Sequence, residues 1–139
     1  MANVAVPSNA VTRRLVNGVF IASRTWTAPA NLSANDTLDI AVVPSGARIT
    51  GIKVKSSAAI AGTIDIGDGT TVDRFLDGNN ALATANLVAE ANEDLGETLS
   101  ADTTVRITFL TAAPASGNVL VAWVEATVDD LPADSTAAT

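Results

Sequence analysis

RITGIKVKSSAAIAGTIDIGDGTTVDRFL, residues 48–76, decides the fold, because apolar side chains recur there at every second position and small turn formers interrupt them. Ile52 and Val54 alternate with Lys53 and Lys55, and Ile64 and Ile66 flank Asp65. A two-residue rhythm sends successive side chains to opposite faces of an extended chain, so one face can be buried while the other meets water. Gly67-Asp68-Gly69 then supplies backbone freedom before a third run, residues 71–76.

The same rhythm extends in both directions. Residues 15–27 form a strand pattern with a kink at Asn17-Gly18, in which Phe20, Ala22, Arg24 and Trp26 share one face and Val19, Ile21, Ser23 and Thr25 the other. Apolar groups on both faces suit a strand between two layers or within an oligomer. A loop over 29–36 leads to TLDIAVV, residues 37–43, and further strands are predicted over 47–56, 62–66 and 71–76, with a broad turn at 77–80. Residues 81–98 have helix-forming composition, with Leu87, Ala91 and Leu95 at four-residue spacing, and both a short helix and an irregular excursion fit them. Strands resume over 103–111 and 118–128, joined through 112–117. In the last strand Leu120, Ala122, Val124, Ala126 and Val128 make one wholly apolar face, expected to meet the core. Short strands at such regular spacing predict an all-β sandwich or barrel over residues 15–128. Residues 1–14, with Pro7, read as a flexible N-terminal arm or short edge element. Residues 129–139 are small, polar and proline-broken, and disorder is expected there.

Composition narrows the chemistry. The 139 residues include no His, no Cys and no Tyr, which removes disulfides, thiolate metal sites and any triad with a His base. Mean hydropathy is high, +0.31, yet the longest strictly apolar run, residues 119–124, is far short of the ~20 residues that a membrane helix needs. Alanine accounts for 26 residues, which suits either dry contact between subunits or a merely tolerant surface. The N-terminus has an Arg pair but no apolar segment behind it, so it matches neither a Sec nor a Tat signal, and the sequons at Asn31 and Asn35 read as chance. Charge is uneven: residues 1–55 carry six Lys or Arg against two acids, a net +4, whereas the remainder carries −11 of the total −7. That asymmetry fits head-to-tail contact or docking on a charged support as well as it fits solvated faces that simply differ.

Asp65, Asp68, Asp73 and Asp77 are the one cluster that resembles a site, since Gly67 and Gly69 would let the backbone bend around a calcium ion. The spacing fails the EF-hand pattern, however, and Asp68-Gly69 equally reads as a tight turn between exposed acids, so no metal is assigned. Lys53 and Lys55 read as the wet face of a strand. No phosphate loop, dinucleotide fingerprint or nucleophile elbow occurs, and the basic residues are too sparse for a nucleic-acid stripe. No catalytic residue, cofactor, nucleic acid or membrane partner is expected.

The order PSGARITGIKVKSSA, TIDIGDGTTVDRFLDG and a late RITFLTAAPASGNVLVAWVEA hairpin, spanning roughly residues 37–128, resembles small jelly-roll or β-sandwich proteins that decorate or cement the capsids of tailed bacteriophages. The IDIGDG turn followed by DRFLDG, and the closing SGNVLVAWVEA strand, carry most of the likeness. The resemblance implies an antiparallel, jelly-roll-like β-sandwich without enzymatic activity. It further implies a homotrimer, made in the host cytoplasm, that bridges neighbouring copies of the major capsid protein on the outside of the virion. Val19 and Ile21, with nearby Ala residues, are the candidates for the contact between copies, and Val4, Val6, Arg13 and Arg14 of the arm for contact with the capsid. Two rivals remain. A carbohydrate- or receptor-binding fibre module would expose Phe75 or Trp26 beside Asp77, and a head-completion or tail-tube subunit would form rings.

Overall fold

The computed structural model describes residues 3–4, 11–16, 18–83 and 87–128. Ten strands run through them: β1 (Asn3–Val4), β2 (Val11–Val16), β3 (Val19–Thr27), β4 (Thr37–Val43), β5 (Ala47–Ser56), β6 (Ile64–Gly67), β7 (Leu76–Asn79), β8 (Val88–Glu90), β9 (Thr103–Phe109) and β10 (Val119–Val128). One sheet has the order β1-β4-β9-β6-β7 and the other β2-β3-β10-β5-β8. Pairing is antiparallel except where β1 lies parallel to β4.

From β3 onward the chain passes back and forth between the two layers, so that β3-β10-β5-β8 faces β4-β9-β6-β7. That arrangement of eight strands is a jelly roll. The core between the layers follows the alternation in the sequence. Leu120, Ala122, Val124 and Ala126 of β10 are buried, as are Ile49, Ile52 and Val54 of β5. From the other sheet come Leu38, Val105, Ile107, Phe109, Ile64 and Ile66. Each fully buried Ile, Leu or Phe contributes roughly 1.5–3 kcal/mol relative to exposure, which is what drives the two layers together. Trp26 stacks on Phe109 with ring centroids 6.4 Å apart and 15° between planes, so an aromatic pair joins β3 to β9 across the layers.

The pattern over 15–27 divides into two strands. Leu15 and Val16 belong to β2, and the kink is a hairpin turn in which Gly18 takes a left-handed φ of 79° and its carbonyl accepts the Val128 N–H at 2.7 Å. β2 is thus an edge strand within the segment read as an arm. Residues 5–10 and 129–139 lie outside the described residues. The strand expected over 71–76 begins only at Leu76, because the Asp68 carboxylate accepts the N–H groups of Thr70 at 2.7 Å and Thr71 at 2.5 Å and holds the chain in a turn. Residues 77–79, expected as turn, continue β7 instead. Of the two readings for 81–98 the irregular one applies to the described residues: a single 3-10 turn at Ala81–Ala83, then β8. Leu87 and Asp94 have φ of 55° and 50°, which no right-handed helix accommodates.

Candidate assembly surface

The outward face of the β2-β3-β10-β5-β8 sheet is built from the residues that the core does not take. Register sets its rows: Ile21 lies opposite Glu125, Ser23 opposite Trp123, and Thr25 opposite Val121. On the far side of β10, Trp123 pairs with Lys53 and Val121 with Lys55, and Lys53 in turn lies opposite Glu90. Val19 is 37% and Ile21 44% exposed, high for aliphatic side chains on a central face of a sheet. Val119, Val121 and Trp123 are half-buried on the same face. Large apolar groups grouped on one face mark a contact surface more often than scattered ones do.

At one end of this face Val119, Val121, Lys55, Ser56 and Ser57 line an open hollow of about 170 Å³. Its rim is tightly held. The Asn118 side-chain oxygen accepts from the Ser57 hydroxyl at 2.9 Å and from the Ser57 and Ala58 N–H groups at 3.2 Å, while the Ser57 hydroxyl accepts the Val119 N–H at 2.9 Å. Lys53 and Lys55 lie on the wet face, as the alternation predicts, whereas the hollow between Lys55 and the start of β10 has no signal in the sequence.

Of the arm residues, Val4 stands opposite Leu38 in register, Arg13 opposite Ala22 and Arg14 opposite Ile21. Val6 lies outside the described residues. Arg14 therefore shares a row with Ile21 and Glu125, whereas Arg13 falls on the alternate position.

The aspartates do not converge. The Asp65 carboxylate accepts the Gly78 N–H at 2.7 Å, and burial, with the charges of Asp77 and Asp73 adding to it, pushes its carboxyl above the ordinary range against that hydrogen bond. Burial also pushes Asp68 up, but the N–H groups of Thr71 and Thr70 and the Arg74 guanidinium, 3.1 Å away, outweigh it and leave the carboxyl below the ordinary range. Arg74 also pairs with Asp94 at 2.6 Å and lies over the Phe75 ring, 5.1 Å from its centroid. Asp94 is held low by Arg74, and the hydrogen bond it shares with Glu97 pushes the latter up. These contacts clasp the β6–β7 turn to the β8–β9 connection beside a polar cleft of about 380 Å³. Among the described residues no group of three or more Asp or Glu is placed to hold a metal.

Two polar features were not legible beforehand. The Asp39 carboxylate accepts from Arg106 Nε at 2.5 Å and Nη2 at 3.3 Å, and its backbone oxygen accepts from the buried Arg24 guanidinium at 2.6 Å, which ties β3 to β4. Burial lowers the Arg24 pKa against the pull of Asp39. Phe75 is fully buried, and Trp26 is half-buried and stacked on Phe109, so neither presents the freely exposed ring that the sugar-binding alternative requires. Among the described residues no helix is long and apolar enough to cross a membrane.

No protein-family model matches the sequence, and no curated protein does. Solved structures do. A chain of the cyanophage Pam1 capsid asymmetric unit matches with a TM-score of 0.61 at 22% identity, covering 91% of this chain and 94% of that one. A chain in the acidic stable capsid structure of Helicobacter pylori bacteriophage KHP30 gives 0.59 at 16%, with 86% and 93% covered. A chain in the capsid of Ralstonia phage GP4 gives 0.63 at 15%, with 92% of each covered. At these identities the likeness is one of fold, and it runs end to end over chains of about this length.

Proposed function

We propose that the chain is a structural, non-enzymatic virion protein of a tailed phage that binds the outside of the capsid and decorates or cements neighbouring subunits of the major capsid protein. The observation that carries this reading is the end-to-end likeness of fold to chains in three phage capsids. The physical character of the molecule supports it. A jelly roll with a continuous aliphatic core is stiff, and its outward sheet presents apolar and charged groups together.

The working form is a homotrimer, with Val19 and Ile21 in the contact between copies and Val4, Val6, Arg13 and Arg14 touching the shell. Several weak contacts then act together, because binding by one copy raises the effective concentration of the others at the lattice. The test is co-sedimentation of the purified protein with shells assembled without it. Saturable binding that weakens when Arg13 and Arg14 are both changed to Glu is expected. Absence of binding at micromolar protein would refute the reading.

A further inference from the structure

The outward face of the β2-β3-β10-β5-β8 sheet carries an exposed aliphatic knob beside a carboxylate and an apolar-lined hollow beside two ammonium groups. The knob is Ile21, the most exposed large aliphatic side chain on this face, with the exposed carboxylate of Glu125 directly opposite it in register. The hollow of about 170 Å³ is bounded by Val119 and Val121, with Lys55 on its rim and Lys53 two residues along the same strand. A void of ~150 Å³ holds a molecule the size of benzene, so this one has room for an aliphatic side chain. Neither the Glu125 carboxylate nor the Lys53 and Lys55 ammonium groups form an ion pair with another described residue.

Knob and hollow on one molecule cannot meet each other. Ile21 and Thr25, which flanks Val121, are four residues apart on β3, about 14 Å at a rise of ~3.4 Å per residue. A second copy can supply what each lacks. We propose that this face is the contact between copies: Ile21 of one copy enters the Val119–Val121 hollow of the next, and Glu125 beside it pairs with Lys55 and Lys53. The inference rests on the homo-oligomeric reading above and specifies its interface. In the homotrimer proposed above the contact is heterologous, each copy passing its knob to the next around a closed ring, whereas in a two-fold dimer two copies would exchange knobs within one interface. In a trimer each copy gives one knob and receives one, leaving no patch unmatched. A rigid rim favours this, because the Asn118 clasp holds the hollow open before binding and little ordering is required on association.

The test is light scattering of the full chain at micromolar concentration in low salt, with circular dichroism confirming the fold of each variant. The parent is expected at the mass of three copies. Val121→Asp, which puts a charge into the hollow, is expected to give monomer. Lys55→Glu and Glu125→Lys are each expected to raise the dissociation constant at least tenfold, and the triple exchange K53E/K55E/E125K, which reverses both sides together, to restore assembly. A parent that is monomeric or dimeric overturns the inference, as does a trimer indifferent to V121D, or a triple exchange no better than its single changes. Co-sedimentation with shells is read separately, so loss of this interface and loss of the capsid-binding reading are told apart.

Discussion

Replacing Phe109 with Ala removes the ring that joins the two layers, and the structure sets the size of the effect. Phe109 is 1% exposed and stacks on Trp26. A residual void of about 80 Å³ costs about 2 kcal/mol at ~24 cal/mol per Å³, and with the lost transfer energy Phe→Ala in a core costs ~3–5 kcal/mol in total. Loss of the aromatic pair lies within that range, since such pairs contribute ~0.5–1.5 kcal/mol beyond area. A loss of about 4 kcal/mol is therefore expected, and at roughly 4 °C per kcal/mol for a domain of this size the melting temperature should fall by about 16 °C. Guanidinium unfolding at one fixed protein concentration measures it, because association adds to apparent stability. Only Trp26 and Trp123 emit strongly, so the native fluorescence should change as well, through Trp26. A loss below about 1.5 kcal/mol, with emission unchanged, would refute the claim that this stack bridges the layers.

Three further outcomes are expected. Asp68 and Asp65 should respond to pH with opposite sign. The Asp68 carboxyl is held low, so its stabilisation is full above the unfolded value of about 3.9 and is lost as pH falls through the lower folded value. Asp68→Asn should thus cost about 1–2 kcal/mol at pH 7 and approach the parent in strong acid. The Asp65 carboxyl is pushed up, so the folded state binds its proton more tightly and gives up stability as pH rises through the folded value. Asp65→Asn, which keeps an oxygen for the Gly78 N–H, should raise the urea midpoint at pH 7 and leave it unchanged near pH 3. Gly67→Ala would bring a Cβ to 2.1 Å from the Thr71 carbonyl and 2.4 Å from Val72 backbone, so a loss of about 1–3 kcal/mol is expected in chemical denaturation. Asp39→Ala removes the carboxylate that Arg106 binds and the negative charge beside the buried Arg24 guanidinium, whose bond to the residue 39 carbonyl remains, and should cost about 3 kcal/mol, read from the same unfolding curves.

Where one face is buried and the other wet, the sequence spoke clearly. β4, β5 and β10 fall within a residue of the alternating runs, and the face of β10 expected to meet the core does so. Strand limits blurred where a side chain competes with the ladder, as Asp68 does in capping the turn that delays β7. Composition left residues 81–98 open between a short helix and an irregular path, and the irregular one is observed in the described residues. Alanine, leucine and glutamate favour a helix locally, but tertiary contacts override that preference, with the Ala91 N–H donating to the Ile52 carbonyl at 2.9 Å. The exposed pair Val19 and Ile21 was legible because two apolar faces on one strand cannot both lie in one core. The hollow was not, since it forms only where the end of β5 meets the start of β10 through the Asn118 clasp, sixty residues apart in sequence.

The most direct test compares three-dimensional reconstructions of capsids assembled with and without the chain. Added density is expected on the outer surface, of a size to hold three sandwiches per site, spanning the boundary between adjoining capsid subunits. Identical maps, or added density confined to the tail or the shell interior, would contradict it.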